Sequence, residues 1–363
     1  MITKYADLLL AALFALLTGF FVPFSPSRLL ESINWNLLGI LFCLMTITAE
    51  IGKWSIPRAL CLYFFAGKTT VRKMARFFIF ACFFSSMVIT NDISLIIFVP
   101  FSISIFIEIR QRTLLIPLIT LETIAANMGS TLTPIGNPQN LFIYDFYHLS
   151  LPAFLSITAP VVLISGLLIY LAGCLFPKDR APVLPPVEMV VPKKKSLLLL
   201  FLLLLCILHV LRLIPLPLVM AAVVPAMILL DRGVFFHVDY KLLLLFALLF
   251  MAVGNLGRMD VISTGAREAL TGREFWVSLL LSQFISNVPA TVMLSSYTDN
   301  AAPLLLGVDI GGLGTLIASM ASLISFKAYA NIPSAGKKEY LTLFSLYNLV
   351  LLAVLILWYL AVY

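Results

Sequence analysis

Long apolar stretches alternate with short polar segments along the whole chain, and their lengths predict membrane spans. A bilayer core of about 30 Å requires about 20 helical residues at a rise of 1.5 Å each. Windows of this kind, nearly free of charge, occupy residues 8–27, 32–49, 123–144, 146–177, 196–211, 213–230, 242–257, 310–326 and 340–363. The pattern therefore predicts an all-α polytopic membrane protein with about nine transmembrane helices.

Two further apolar regions are interrupted at their centres by a polar residue. Residues 77–91 and 93–107 would form arms of about 22 Å that meet at Asp92. Residues 275–286 and 288–298 are shorter still and meet at Asn287. Half-length helices around a polar break favour re-entrant hairpins, which are tolerated where protein or a water-filled cavity satisfies the backbone. Ordinary pairs of short spans are the alternative.

The distribution of Lys and Arg predicts the orientation. With the N-terminus in the cytoplasm and both hairpins returning to their own side, 19 of the 24 basic residues lie in cytoplasmic segments and five outside. This bias agrees with the positive-inside rule. The first window resembles a secretory signal, but bulky Phe20 and Phe21 stand where cleavage needs small residues, which favours a retained span. We expect a multi-pass protein of the bacterial inner membrane.

Composition excludes several other classes of protein. Apolar residues make up 61% of the chain and charged residues 11%, against about 25% charged in soluble domains. The net charge of +7 is explained by basic loops that set topology, so no nucleic-acid partner is expected. The cysteines and histidines are scattered and indicate neither a disulfide framework nor a metal site; they are Cys43, Cys61, Cys82, Cys174, Cys206, His148, His209 and His237.

The chain contains a weak internal repeat on either side of a Pro-rich, basic segment. Residues 84–91 and 280–287 lie 196 positions apart, and each octet ends with an asparagine after a hydroxyl residue. Residues 128–137 loosely parallel 310–319, and 51–53 parallel 256–258. We predict an N-terminal repeat (1–176), a cytoplasmic linker (177–195) and a C-terminal repeat (196–363). Each repeat contains a hairpin (73–108 and 273–299) and a broken helix (112–146 and 301–330).

Under the predicted topology the two repeats are inverted, which is the pattern of transporters that bind their substrate near the bilayer midplane. Breaks in helices expose backbone N–H and C=O groups that bind anions and cations. Glycines permit close approach of the backbone, and neutral oxygens and amides suit sodium or an oxyanion. Helix packing through small polar residues is the alternative. The candidates are Thr90, Asn91, Gly129, Thr133, Gly136, Asn137, Asn140, Ser286, Asn287, Gly312, Gly314, Thr315, Ser319 and Ser322.

Asp92 is the most informative single residue because an ionisable group inside an apolar region is costly without a role. The functional interpretation is a cation ligand or a proton carrier. The alternative is a first-turn acid of the second hairpin arm, stabilised by the helix dipole. Glu122, at the start of the following window, either pairs with a neighbour or relays protons.

Three segments resemble the ion transporter superfamily: TNDISLIIFVP (90–100), GSTLTPIGNPQN (129–140) and SNVPATVML (286–294). This superfamily includes sodium-coupled dicarboxylate and citrate transporters, arsenite permeases and sodium/proton antiporters. The resemblance runs through nearly the whole chain. It implies an elevator-type secondary transporter, often a homodimer, and it adds Ser130, Pro134, Val288, Pro289 and Thr291 to the candidate site.

The resemblance also implies a sodium site, with Thr90, Asn91, Asp92, Thr133 and Asn137 as its candidate ligands. In the dicarboxylate branch each hairpin tip reads Ser-Asn-Thr, whereas here the tips read Thr-Asn-Asp and Ser-Asn-Val. The missing threonines and the negative charge of Asp92 disfavour a dicarboxylate. Val288 and Pro289 are closer to the arsenite and antiporter branches. The second broken helix has Met320 and Ser322 where the first has Pro138 and Asn140.

The sequence therefore predicts a secondary transporter for a small organic or inorganic anion, coupled to sodium or protons and needing no other cofactor. The alternative is a sodium/proton antiporter that uses Asp92 as its exchange site. An intramembrane enzyme is disfavoured because no HExxH, GxGD or Ser/His pairing is visible. A passive channel is disfavoured because inverted, interrupted helices suit alternating access. Lipid and a second copy of the chain are the expected partners.

Overall fold

A computed structural model describes residues 6–22, 25–53, 69–181, 193–333 and 335–363, and these residues are almost wholly helical. Within them, the strands are two residues long, β1 (Thr69–Thr70) and β2 (Arg180–Ala181), and they pair in antiparallel fashion. Most of the predicted linker lies outside the described residues, as do Lys4, Arg58, Cys61 and Lys68.

Eight α-helices precede the linker in the part of the chain that the structure describes. In chain order they are α1 (Ala6–Phe20), α2 (Pro26–Ser32), α3 (Trp35–Gly52), α4 (Val71–Ile89), α5 (Asn91–Glu108), α6 (Leu115–Ser130), α7 (Pro138–Phe146) and α8 (Leu151–Gly173). Helices α4 and α5 form hairpin one, which turns at Thr90. Helices α6 and α7 form the first broken helix.

Nine helices follow it. They are α9 (Lys193–Val210), α10 (Leu216–Leu230), α11 (Tyr240–Leu256), α12 (Asp260–Leu270), α13 (Glu274–Ile285), α14 (Asn287–Ser295), α15 (Ala301–Gly311), α16 (Met320–Ala330) and α17 (Lys337–Val362). Helices α13 and α14 form hairpin two, which turns at Ser286, and α15 and α16 form the second broken helix.

The chain is an all-α membrane protein. Among the described residues, five helical segments are long and apolar enough to cross a bilayer, and the longest is α17. Several shorter apolar helices, including the first arm of hairpin two (α13) and the first arm of the second broken helix (α15), pack beside them. Short helices at membrane depth are stable only when neighbouring helices cover their ends.

Several helix boundaries differ from the apolar windows. The arms of hairpin one, predicted at 15 residues each, are longer: α4 has 19 residues and α5 has 18, and of the two only α5 is long and apolar enough to cross a bilayer. Two other differences have identifiable reasons. The first window extends to residue 27, but α1 ends at Phe20 and a separate helix, α2, begins at Pro26, since proline is well suited to the first turn of a helix. The window at residues 123–144 excluded Glu122, whereas α6 begins earlier, at Leu115. Glu122 is fully buried and accepts a hydrogen bond from Ser102, so this acid lies inside the helix bundle.

Two apolar cores hold the helices together. The first core lies among α4, α5, α6, α8 and α17, with Phe78 and Phe106 fully buried. The second lies among α1, α3, α9, α10 and α11, and it takes in side chains from α7 and α14. Close packing, rather than exclusion of water, stabilises such contacts within a bilayer. The broken helices and hairpins lie where the two cores meet.

Candidate functional site

Each hairpin turns at one residue whose backbone angles are rare for an L-amino acid. Thr90 has φ 72° and ψ 152°, and Ser286 has φ 74° and ψ 154°. The N–H of the asparagine that follows donates to a carbonyl of the adjacent break, Gly136 at 3.1 Å in one case and Ala318 at 3.0 Å in the other. Such conformations cost about 1–3 kcal/mol each and persist where the surroundings enforce them. The two tips thus share one backbone geometry and one kind of anchor.

Two asparagines satisfy the backbone at the first break. Asn137 caps α7, because its Oδ1 accepts from the N–H of Asn140 at 2.9 Å. Its Nδ2 donates to the Ser130 hydroxyl at 3.2 Å. Asn140 Nδ2 donates to the Thr131 carbonyl at 3.2 Å, which serves the end of α6. The break is therefore a fixed structure with its polar ends paired.

Two contacts press this break against hairpin one. A Cβ at Gly129 would collide with the Phe83 carbonyl on α4, so only glycine permits this approach of α6 to α4. Thr133, in the loop that also contains Pro134, donates from its hydroxyl to the Met87 carbonyl at 2.5 Å. Hairpin one and the first break consequently pack as one unit.

At the second break, a single glutamine makes the side-chain hydrogen bonds that satisfy the backbone. Gln283 of α13 donates to the carbonyls of Gly311 at 2.7 Å and Leu313 at 3.0 Å, and its Oε1 accepts from the Thr315 N–H at 3.0 Å. Between them Gly314 has φ 106°, a conformation that favours glycine. The second break is thus held by its hairpin rather than by its own asparagines.

The two broken helices contact each other at equivalent positions. An offset of 182 residues pairs Asn127 with Asp309 and Asn137 with Ser319. The Ser319 hydroxyl donates to Asn127 Oδ1 at 3.1 Å, and Asn137 Nδ2 lies 3.5 Å from Asp309 Oδ1. A residue on the first arm of each broken helix therefore meets the N-cap position of the other. We call these four residues the crossing.

Both hairpin tips reach the crossing. Asn91 Nδ2 donates to Asn127 Oδ1 at 3.1 Å, and the second tip is bonded to Ala318, the neighbour of Ser319. The Asn287 amide lies against Gly312, where a Cβ would be 3.1 Å from its Nδ2. A continuous series of contacts thus joins the two tip asparagines through the crossing.

Two carboxyl groups lie in this region without a cation. Asp309 is 3% exposed, and its Oδ1 accepts from Gln139 at 3.4 Å as well as from Asn137. Its Oδ2 has no hydrogen-bond partner among the described residues. The same holds for Asp92 Oδ1 at the first tip, where the Asp92 N–H is bonded to Asn91 Oδ1 at 2.9 Å. Amide donors therefore face Asp309, whereas part of Asp92 is left unpaired.

Some of the predicted site residues make no contact across the crossing. Thr291 donates to the Asn287 carbonyl of its own helix at 2.7 Å, and Val288 packs in the second apolar core. Pro289 lies in the first turn of α14. The Ser322 hydroxyl is fully buried and has no partner within the described part of the chain.

Sequence reasoning missed three residues of this arrangement: Asn127, Gln283 and Asp309. The signal for Asp309 was present, since it is the one charged residue within the apolar segment Ala301–Gly311, just as Asp92 is within its own. Asn127 and Gln283 carried no comparable signal, because a neutral amide in a membrane helix is commonly a packing residue.

A separate cavity of about 500 Å³ lies between α3, α7 and the turn that joins α9 to α10. Arg212, His209 and Asp145 line it, and Arg212 Nη2 donates to the Tyr144 carbonyl at 3.0 Å. The lining includes none of the residues of the crossing or the tips. This cavity is therefore distinct from the region where the breaks meet.

Comparison with known proteins adds an independent result. A family model described as citrate transporter matches residues 1–324. An uncharacterized transporter of Methanocaldococcus jannaschii is 34% identical over 311 residues, covering 84% of this chain and 83% of that protein. Inner membrane protein YbiR of Escherichia coli is 33% identical over 321 residues, covering 85% and 84%. An uncharacterized transporter of Mycobacterium tuberculosis is 28% identical over 249 residues, covering 57% and 58%.

Proposed function

The chain belongs to the citrate transporter family, and on this basis we propose that it is a secondary transporter for a small anion, coupled to sodium or protons. Membership makes it a multi-pass membrane transporter with a small-molecule substrate. The relatives from Methanocaldococcus jannaschii and Mycobacterium tuberculosis are named as transporters, which fits a protein without enzymatic activity. We propose, beyond this membership, that the solute is an anion and that its transport is coupled to sodium or protons.

The observation that carries the proposal is the crossing of two broken helices beneath two strained hairpin tips. Helices α5, α7, α14 and α16 all begin there, and helix N-termini attract anions through their unpaired N–H groups. Each break is fastened by side-chain amides, so the ends are preorganised for a ligand. Interrupted helices of this kind are the usual binding elements of secondary transporters.

The charges at the tips narrow the class of solute. Asp92 places a carboxyl beside the first tip, while Val288 is apolar at the corresponding place in the second. A second carboxyl, Asp309, is buried close by. These groups would repel a ligand with carboxylates at both ends, so we favour a compact anion with one charged group, or an inorganic oxyanion.

Coupling is proposed to operate through the oxygens of the first tip. Thr90, Asp92 and Thr133 offer a hydroxyl, a carboxyl and a second hydroxyl near one anchored backbone. Oxygen ligands of this type suit sodium, and a carboxyl alone suits a proton. Asn137 contributes less here, since its Oδ1 already accepts the Asn140 N–H.

Movement of the site across the membrane is proposed to follow an elevator scheme within a homodimer. The two apolar cores offer two bodies, and hairpin one packs with the first. The bacterial inner membrane and a cytoplasmic N-terminus remain the expected placement, with lipid as the surrounding partner.

A sodium/proton antiporter is the second candidate. It is favoured by the unpaired Asp92 Oδ1, which is free to bind a proton or a sodium ion in turn. This function would require no organic or inorganic anion as solute.

Both candidates are tested by reconstituting the protein in liposomes. Uptake of citrate, phosphate and arsenite would be followed under imposed sodium gradients and pH gradients, applied separately. The proposal expects uptake of at least one anion that is stimulated by one of the gradients. Sodium-driven proton exchange with none of the three anions present would establish the antiporter instead.

The role of the tip is tested with Asp92→Asn. We expect this variant to fold, as judged by gel filtration in detergent, and to lose the dependence of uptake on the coupling ion. Asp299→Asn is a matched control, since Asp299 is exposed in the loop after α14. Unchanged ion dependence in Asp92→Asn would refute the coupling role.

A further inference from the structure

Glu122 is a fully buried carboxyl outside the crossing. It lies on α6, and its Oε2 accepts from the Ser102 hydroxyl of α5 at 3.0 Å. Its Oε1 has neither a hydrogen-bond partner nor an ion-pair partner in the described part of the chain. An ionised carboxylate in this position would be uncompensated, which is expensive in a protein interior within a bilayer.

The helices that pack around Glu122 carry further polar atoms that are buried and unpaired within the described residues. Helices α5, α6, α16 and α17 pack around it. Within the described residues these helices carry eight such atoms. Asp92 Oδ1 belongs to the first tip and Asn348 Oδ1 lies further along α17. The other six are Thr120 Oγ1, Glu122 Oε1, Asn127 Nδ2, Ser322 Oγ, Ser325 Oγ and Tyr340 Oη. Native proteins leave few buried polar atoms unpaired, and groups of this kind are commonly hydrogen-bonded to ordered water. We call the space that these six atoms border the polar seam.

The polar seam leads away from the crossing. Asn127 is a member of both, and it contacts Ser319 just before the start of α16. Further along α16, the Tyr329 ring stacks at 4.9 Å on Tyr340, whose hydroxyl lies near Glu122, a residue that precedes Asn127 on α6. These two contacts indicate that α16 traced forward follows α6 traced backward. Ser322, Ser325 and Tyr329 follow each other at helical spacing along α16. The seam thus extends toward the end of the protein where α6 begins.

The groups that face Glu122 make it the natural proton acceptor of the seam. Tyr340 from α17 and the Cys82 thiol from α4 are the titratable neighbours, and Tyr329 lies behind Tyr340. Helix α5 contributes the Ser102 hydroxyl. Both titratable neighbours are weaker acids than a carboxyl group, so the thiol and the phenol already hold their protons at neutral pH, and neither carries positive charge. Of these titratable groups, Glu122 is therefore the one that can accept a proton entering the seam.

We propose that Glu122 binds and releases a proton that reaches it through water in the polar seam, and that this exchange couples the crossing to one side of the membrane. The inference rests on the proposed transport function. In the binding step a hydronium ion donates to Glu122 Oε1, the acid O–H bond forms as the hydronium O–H bond breaks, and neutral water remains. Release reverses the step.

Infrared difference spectroscopy of the protein in lipid vesicles tests the proton site without any solute. On changing from acid to alkaline pH, the wild type is expected to lose a carboxylic-acid carbonyl band that Glu122→Gln lacks. In D2O this band should shift promptly, since water reaches the group. Identical difference spectra for wild type and Glu122→Gln would overturn the assignment, and so would a band that fails to shift.

Two further variants separate the site from its route and from a general effect of buried acids. Ser325→Val fills part of the seam while keeping Glu122, so the band should persist and shift more slowly in D2O. Glu50→Gln is the matched control, because Glu50 is also buried but lies 3.5 Å from Lys53, outside the seam. It should leave the Glu122 band and its exchange unchanged. An unaltered exchange rate in Ser325→Val would contradict the route.

Uptake of radiolabelled citrate and phosphate into proteoliposomes supplies the functional arm. Glu122→Gln should lose the stimulation by an inward proton gradient while retaining uptake in its absence. Retained stimulation would refute coupling through Glu122. If the wild type takes up neither anion, the proposed function fails for these solutes, and the infrared result still decides whether Glu122 exchanges a proton.

Discussion

The hairpin tips of the two halves share one backbone conformation but differ in where the nearby carboxyl group lies. Thr90 and Ser286 turn with nearly the same angles, and the asparagine after each donates its N–H to the adjacent break. The first half then carries its carboxyl at the tip, as Asp92, while the second carries it on the broken helix, as Asp309. The turn and its anchor thus occur in both halves, whereas the carboxyl group lies at the hairpin tip in one half and on the broken helix in the other.

This difference teaches which features serve geometry and which serve binding. The strained turn and its anchor occur at both hairpins, so we expect them to hold the helix breaks in place. The means of fastening differ, with Asn137 and Asn140 in the first half and Gln283 in the second. The single carboxyls have no counterpart at the equivalent positions, where Val288 and Asn127 stand. They are therefore the residues expected to set ion and solute selectivity.

The largest effect is expected from removing the tip asparagines. Asn91→Ala loses the hydrogen bonds to Asn127 and to the Asp92 N–H, and uptake should fall by about 100-fold, since bonds to ligand or charged groups contribute about 1.5–3 kcal/mol. Asn287→Ala should fall less steeply, because its amide makes a longer contact with Ser286. Uptake normalised to protein amount checks this, with Asn331→Ala as the exposed control. Wild-type flux in both tip variants would exclude a site at the crossing.

Exchanging the charge between halves tests whether they are interchangeable. Asp309→Asn should reduce uptake by about tenfold, a loss of about 1.4 kcal/mol, because the carboxyl that accepts from Asn137 and Gln139 becomes an amide. Adding Asn127→Asp restores the net charge but not its position. We expect the double variant to stay impaired, since a carboxyl at position 127 would face one hydroxyl and one amide instead of two amides. Recovery of uptake in the double variant would mean that only net charge matters.

Gly129 and Gly311 are equivalent at the offset of 182 residues. Replacing each with alanine should show how tightly the helices pack in each half. Gly129→Ala meets the Phe83 carbonyl, a backbone atom that cannot give way, and should lower the free energy of unfolding by about 1–3 kcal/mol. Gly311→Ala approaches Leu279 Cα and the Ser282 side chain at 3.0 Å and should cost less. Thermal unfolding in detergent measures both. Equal losses would contradict the tighter fit assigned to the first half.

The smallest effect is expected where the halves are joined outside the bilayer. Lys53, just after α3, contacts Asp231, just after α10, at 2.5 Å. This contact and the Gly233 N–H lower the pKa of the exposed Asp231 carboxyl. Its contribution to stability is therefore present above the ordinary pKa of an aspartate, about 3.9, and is lost as pH falls through the lower folded value.

Asp231→Asn should accordingly lower the unfolding temperature slightly at neutral pH and not at all in strong acid. Surface ion pairs of this kind contribute little, so transport should be unaffected. Thermal scans across pH provide the measurement, with Asp239→Asn as a comparison, since Asp239 caps α11 instead of pairing with Lys53. A change in transport by Asp231→Asn would show that the ion pair between Lys53 and Asp231 contributes to transport, contrary to this prediction.

The sequence was most informative where a polar residue interrupts an apolar run. Asp92 and the tip asparagines stand out for this reason, and the Asn-Pro step at Asn137 is a common way to begin a helix. The all-α membrane class and the transporter family also followed from composition and short motifs. These signals are local, and they can be read without knowing which helices touch.

What could not be predicted depends on contacts between distant segments. The place of Asn127 in the candidate site depends on its hydrogen bonds with Asn91 and Ser319, which are 36 and 192 positions away. Gln283 resembles an ordinary helical amide until the loop at Gly311 is placed beside it. The early start of α6 depends on the hydrogen bond from Ser102, which allows Glu122 to be buried. Tertiary hydrogen bonds, rather than propensities, decide these features.

The short pairing of β1 with β2 has a mechanical consequence. It fastens the base of hairpin one to the end of α8, and Arg72 Nε adds a bond to the Phe176 carbonyl at 2.6 Å, while Arg76 lies over the Tyr170 ring at 4.0 Å. Hairpin one is thus bound to α8 at its base, so we expect a movement that displaces its tip to displace α8 as well. The distance between a spectroscopic label at the base of hairpin one and a second label on α8 should therefore stay constant during transport, whichever solute is carried.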